Sequence, residues 1–278
     1  MIIAATLLSA CSAIKLAYNQ APDLTYWWLD GYFDFNEQQT PKVRDELAKL
    51  FVWHRTNELP KTAALLQEAA KLMPGEINAT QACLLYGQVR GLVDNVTSQA
   101  LPALAELAPT ITPEQIDHLK RKYAKNAEEF SRDFLRTSTK DRLDKSFKRS
   151  IDRSEMLYGR LEEAQIHVIK RLVSESSFDA ALSLKERTRR QQELIERLQL
   201  LAASKASPTA AQQSLREYIT RVWSSPDPAY RAYVEKLTQQ GCQGFASIHN
   251  STTPSQRANA VKVLTGYETD VRTLANAR

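Results

Sequence analysis

The residues able to do chemistry in this 278-residue chain are few and scattered: three cysteines, Cys11, Cys83 and Cys242, and four single histidines, His54, His118, His167 and His249. The closest approach to a nucleophile and base is Cys242 in "QQGCQGF" with His249 seven residues on. On one continuous helix these would stand about 10 Å apart, too far for direct proton transfer. Asp30 and Asp34, one helical turn apart, could form a carboxylate pair, but acids on a helix surface are ordinarily solvated charge. The pairs Glu128–Glu129 and Glu162–Glu163 read the same way, as outward-pointing charge. A His-Glu-x-x-His helix, a Cys-x-x-Cys pair, a Gly-rich phosphate loop and a Gly-x-Ser-x-Gly elbow are all missing from the sequence. No catalytic residue, metal ligand, cofactor or small-molecule ligand is therefore expected, and the chain does not read as an enzyme.

The cysteines divide by position. Residues Ile2 to Leu8 are almost wholly apolar, and the small residues Ser9 and Ala10 stand just before Cys11. Secretory signals end in this way. Leu8-Ser9-Ala10-Cys11 resembles the bacterial lipobox, which implies a thioether-linked diacylglycerol on Cys11 as the new N-terminus. No Lys or Arg precedes Cys11, so residues 1–10 read as a signal peptide shortened at its start. The competing reading is an ordinary N-terminal helix with a free thiol; the segment is too short to cross a bilayer in either case. The same resemblance makes Ser12 a sorting residue that favours the outer over the inner membrane. Cys83 and Cys242 would then lie in an oxidising compartment, where they either form a disulfide or remain two small core residues.

Gly is scarce, at 8 residues, while Ala, Leu, Gln, Glu, Lys and Arg dominate, all good helix formers. After the N-terminus no run of about 18 apolar residues occurs, so no further segment spans a membrane. The net charge of +5 arises largely between Lys120 and Arg153, where acids are interspersed. A mixed-sign run of this kind is a solvated helix face, and an exported protein would not meet nucleic acid.

Helix starts are legible in several places. Thr112-Pro113-Glu114-Gln115 combines an N-cap, Pro at the first helical position and a capping-box Gln. Thr253-Pro254-Ser255-Gln256 repeats it, Asn78-Ala79-Thr80-Gln81 lacks only the proline, and Thr40-Pro41 and Ser207-Pro208 carry its first half. With period-3.6 apolar spacing these marks predict helices over about 23–33, 37–73 (bent at Pro60), 79–107 (kinked at Pro102), 113–136, 140–174, 178–204, 208–224, 228–248 and 254–275. The predicted fold is all-α, an antiparallel bundle of eight or nine helices. Residues 1–10 are the signal remnant, 11–22 a lipidated tether and 23–278 a single helical domain.

Thr25 to Phe35, "TYWWLDGYFDF", is the least ordinary segment, with Trp27, Trp28, Tyr32 and Phe35 on one helical face together with Leu24. Two readings stand: rings that close one end of the bundle, or rings that sit in the headgroup zone near the anchor. The core reading is favoured, because Asp30 and Asp34 would be repelled by an anionic surface.

A lipobox followed by "AYNQAPDLTYWWLDGYFDF" and "TPKVRDELAKLFVWHRTNELPKTAALLQ" resembles a family of proteobacterial lipoproteins of unknown function. The resemblance implies an exported, lipid-anchored helical protein and supplies no catalytic residues. Ile111-Thr112-Pro113-Glu114-Gln115 is also similar to the Leu-Thr-x-x-Gln motif of Spy and CpxP-type periplasmic chaperones, although any capping box with a preceding apolar residue looks alike. The expected role is a cell-envelope interaction or scaffold protein on the periplasmic face. It would be held to the membrane by acyl chains and would engage another envelope protein. The alternatives are a Spy/CpxP-like chaperone or stress-sensing binder, and an envelope hydrolase with an unrecognised site.

Overall fold

A computed structural model describes residues 15–277 of the chain. Among them are a helical stretch over residues 15–19, eleven further α-helices and one 3₁₀ turn. The helices are α1 (Ala21–Phe33), α2 (Gln39–Asn57), α3 (Leu59–Leu72), α4 (Ala79–Leu107), α5 (Pro113–Phe134), α6 (Thr139–Tyr158), α7 (Glu163–Ser174), α8 (Ala180–Ala203), α9 (Pro208–Trp223), α10 (Pro228–Asn250) and α11 (Pro254–Asn276). The all-α architecture is the one predicted.

The higher helix count has two local causes. The 37–73 segment divides at Glu58, where Pro60 cannot donate to the ladder. The 140–174 segment breaks after Tyr158, where Gly159 adopts φ 73°, a left-handed conformation that favours glycine. The chain restarts when Gln165 Oε1 accepts the Glu162 N–H at 2.8 Å. Glu162 is thus engaged at a helix start as well as being surface charge. Thr40 is likewise no cap: α2 begins with Asn36, whose Oδ1 accepts the Gln39 N–H at 3.0 Å, and the Thr40 hydroxyl lies 2.9 Å from that of Tyr26.

Four capping glutamines do more than cap. Gln39 and Gln115 exchange side-chain bonds, Nε2 to Oε1, at 3.1 and 2.7 Å. Gln165 and Gln256 do the same at 2.7 and 2.9 Å. All four are buried. Each Oε1 also accepts the backbone N–H of its own cap residue, Asn36, Thr112, Glu162 or Thr253. Each Nε2 donates in addition to the carbonyl two residues before the partner's cap: Thr110, Asp34, Ser251 and Arg160 respectively. Every amide is fully satisfied, and the N-termini of α2 and α5, and of α7 and α11, are clamped head to head.

Apolar packing fills in around these clamps. One cluster gathers Leu101 and Ala105 of α4, Ile116 and Leu119 of α5, Ile195 and Leu198 of α8 and Leu215 of α9. A second joins Met73, Ile77, Ala82, Tyr158, Ile169, Cys242 and Ala260. A smaller one holds Tyr26, Phe35, Val43 and Leu47 at the α1–α2 corner. Helix α4 contributes to both large clusters, and at 1.5 Å per residue it is about 43 Å long. Large-to-small truncation at fully buried Leu119 is expected to cost about 2–5 kcal/mol, whereas Trp27→Ala, on the surface, is expected to stay within about 0.5 kcal/mol. Denaturant unfolding of the two variants checks the contrast, and equal losses would refute this placement of the core.

Candidate functional site

Cys83 of α4 and Cys242 of α10 are joined in a disulfide, with Cα atoms 5.3 Å apart and 159 residues between them in sequence. The bond ties together two helices that contribute to the second apolar cluster. It also removes the Cys242 thiol from any pairing with His249. Next to it, Gly244 is buried, and a Cβ there would make ordinary van der Waals contact with Leu172 of α7 at 3.6 Å.

His249 is fully buried between two partners. Its Nε2 lies 2.8 Å from the Gly75 carbonyl, which can only accept, so that nitrogen carries the proton. Nδ1, 3.0 Å away, then accepts from the Tyr158 hydroxyl. Burial holds the imidazole below its ordinary pKa, opposed by the Gly75 bond, and burial pushes the Tyr158 phenol up. This is a neutral, structurally occupied histidine that packs against Phe245.

The other three histidines sit apart. His54 Nδ1 is 2.8 Å from the Tyr18 hydroxyl, and burial depresses its pKa. His118 Nε2 approaches the Gly31 carbonyl at 3.4 Å, and His167 is exposed beside Glu163. Among the described residues no three His, Cys, Asp or Glu side chains gather as a metal-ion site.

The densest charge cluster was not anticipated from sequence. Between α8 and α9 a groove of about 560 Å³ is lined by Arg189, Glu193, Arg197 and Arg221, among others. Glu193 receives Arg189 at 2.5 Å, Arg197 at 3.1 Å and Arg221 at 2.8 Å. Glu186, 4 % exposed, receives Arg189, Arg190 and the Ser225 hydroxyl. Burial pushes both carboxyls up, but the hydrogen bonds from these partners outweigh it and hold them below the usual carboxylate range. These four guanidinium groups are engaged by protein carboxylates, so the network ties α8 to α9. Each carboxylate is recognisable in sequence only as one more charge in an Arg- and Glu-rich helix.

The aromatic segment divides. Phe35 is buried against Tyr26 and stacked on Phe33, and Tyr32 is half-buried, with its hydroxyl accepting from Asn126 at 3.0 Å. Trp27 and Trp28 are 60 % and 63 % exposed, which overturns the expectation that they close the end of the bundle. Tyr26, on the opposite side of α1, supplies that packing. Asp30 is no carboxylate partner for Asp34: its Oδ1 accepts the Phe35 N–H at 2.9 Å and so closes the C-terminal end of α1. Cys11 and Ser12 lie outside the described residues.

Replacing both Cys83 and Cys242 by Ala is expected to lower the unfolding free energy by about 2–5 kcal/mol, the upper figure being the chain-entropy value for so long a loop. Denaturant titration measures it, and a non-reducing gel of wild type should run ahead of the reduced form. An unchanged midpoint together with free thiols would refute the bridge.

Comparison with curated proteins and with solved structures gives no match to either. A family profile does match, over residues 31–231, which is most of the chain and includes both Gln39 and Gln115, the Cys83 half of the bridge and the Arg–Glu network. The chain belongs to that family, DUF6279, a family of unknown function.

Proposed function

We propose that this protein is a lipid-anchored component of the cell envelope, whose helical body serves as an interaction or scaffold surface. The anchor would be Cys11, carrying acyl chains after removal of residues 1–10, with Ser12 directing it to the outer membrane. Each buried CH₂ would add about 0.8 kcal/mol to the attachment, and more than one chain makes it stable.

The observation that carries this reading is the division of the three cysteines. Two are paired with each other, as suits an oxidising compartment. The third stands at the end of the Leu8-Ser9-Ala10-Cys11 motif, outside the described residues. The buried, hydrogen-bonded state of His249 and the mutual pairing of the Arg and Glu side chains favour a structural body over a reactive centre. The partner of such a body is another envelope protein, and neither nucleic acid nor a small molecule is required. Gln115, which raised the chaperone comparison, is spent in a helix clamp. Its presence therefore carries no separate argument for a chaperone.

Mass spectrometry of the N-terminal peptide from protein extracted out of its native membranes tests the proposal. An acylated Cys11 as the first residue is expected, and Cys11→Ser is expected to move the protein from the membrane to the soluble fraction. A bare Cys11 still preceded by Ala10 would overturn it.

A further inference from the structure

Residues 15–19 are helical and lead through Gln20 directly into α1, with Gln20 N–H donating to the Leu16 carbonyl at 3.2 Å and Leu24 N–H to the Gln20 carbonyl at 3.0 Å. Apart from the turn at Gln20, the chain from 15 to 33 is therefore a helical rod, about 27 Å long at 1.5 Å per residue. At 100° per residue, Leu16, Ala17, Leu24, Trp27, Trp28 and Gly31 fall on one side of this rod, with Gln20 among them. All seven are exposed, and the stripe carries no charge. Leu16 is 66 % exposed and Leu24 49 %. A Cβ added at Gly31 would meet nothing within 4 Å, so the side-chain face of that end is open.

We propose that this stripe lies in the headgroup zone of the phospholipid bilayer that receives the acyl chains of Cys11. The inference rests on the anchored reading above and deepens it, from a protein tethered to a membrane to one that lies against it on a defined face.

Three observations select a bilayer as the occupant. The first is reach. Lys15 is docked on the bundle, its Nζ 3.6 Å from the buried Asp270 carboxylate. The four residues from Cys11 to Lys15 extend at most about 14 Å. A lipid on Cys11 therefore holds the beginning of the stripe at the membrane surface. The second is residue type: two adjacent tryptophans combine a broad apolar ring with an N–H that needs a polar partner, which the headgroup zone supplies and a hydrocarbon core does not.

The third is charge. Asp23, exposed at the edge of the stripe, is neutralised by Arg44 at 2.6 Å, and Asp30 is turned inward onto the Phe35 N–H. Asp34 stays exposed beyond the helix end. Alongside, His118, Arg121, Lys122 and Lys125 share one face of α5, with Glu114 and Glu129 at its ends. That face meets α1: Lys122 Nζ stands 5.3 Å from the centre of the Tyr32 ring, and His118 reaches Gly31. Anionic headgroups beside the stripe would meet these cations.

The test uses the full chain as the unlipidated Cys11→Ser variant, with Trp53 and Trp223 replaced by Phe so that only Trp27 and Trp28 report. Vesicles of phosphatidylethanolamine and phosphatidylglycerol are expected to sediment the protein and shift its emission to the blue, and brominated acyl chains to quench it. Trp27→Ala/Trp28→Ala, with an unchanged circular dichroism spectrum, is expected to lower the partition coefficient at least about tenfold. Partitioning equal to that of the parent would overturn the proposal. So would a dimer that the double variant abolishes while vesicle binding is absent, since a second copy would then be the occupant. Lipid on native Cys11 with no vesicle binding overturns the stripe alone; binding with a bare Cys11 overturns the anchor instead.

Discussion

The architecture depends on a reciprocal amide clamp between helix beginnings. The N-terminus of a helix exposes N–H groups with no partner inside the helix and carries a partial positive charge. Bringing two such ends together in a buried place is unfavourable unless each finds acceptors. Gln39 with Gln115, and Gln165 with Gln256, solve this twice with one geometry. Each amide oxygen serves its own cap and its partner, and each amide nitrogen serves its partner and the partner's incoming chain. Helix ends that would repel one another are thereby set in one register, and the apolar faces of α4, α5 and α8 on one side and of α3, α7 and α11 on the other can close.

That constraint explains which parts of the fold were legible. Thr112–Gln115 and Thr253–Gln256 announce their helices through an N-cap, a proline and a glutamine, all local signals. Asn36–Gln39 and Glu162–Gln165 serve the same clamps but are disguised. Thr40-Pro41 follows directly on the first and attracts the assignment, and Glu162 is not among the usual cap residues, so the break at Gly159 passed as continuous helix. The pairing between caps 76 and 91 residues apart has no local signature at all.

The site followed the same rule. The cysteines could be named as candidates, but only the packing of α4 on α10 brings Cys83 to Cys242. The tryptophans were misassigned because Asp30 was counted as surface charge that would repel an anionic membrane, whereas it turns inward onto the Phe35 N–H. The turn of α1 presents Tyr26 inward and Trp27 and Trp28 outward, and the uncharged stripe becomes visible only once residues 15–19 are seen as a helical stretch leading into α1 through Gln20. Burial and pairing occupy the ionisable groups of His249 and of the Glu186 and Glu193 network within the helical body.

The most direct measurement of the central claim is a double-mutant cycle on Gln165 and Gln256, with each replaced by Ala alone and together and the unfolding free energy read by denaturant titration. Each single change strips partners from a buried amide, at a cost of about 1–3 kcal/mol, and the clamp predicts that the double variant loses less than the sum by at least about 1 kcal/mol. Losses that add within about 0.3 kcal/mol would show two independent caps and contradict the clamp.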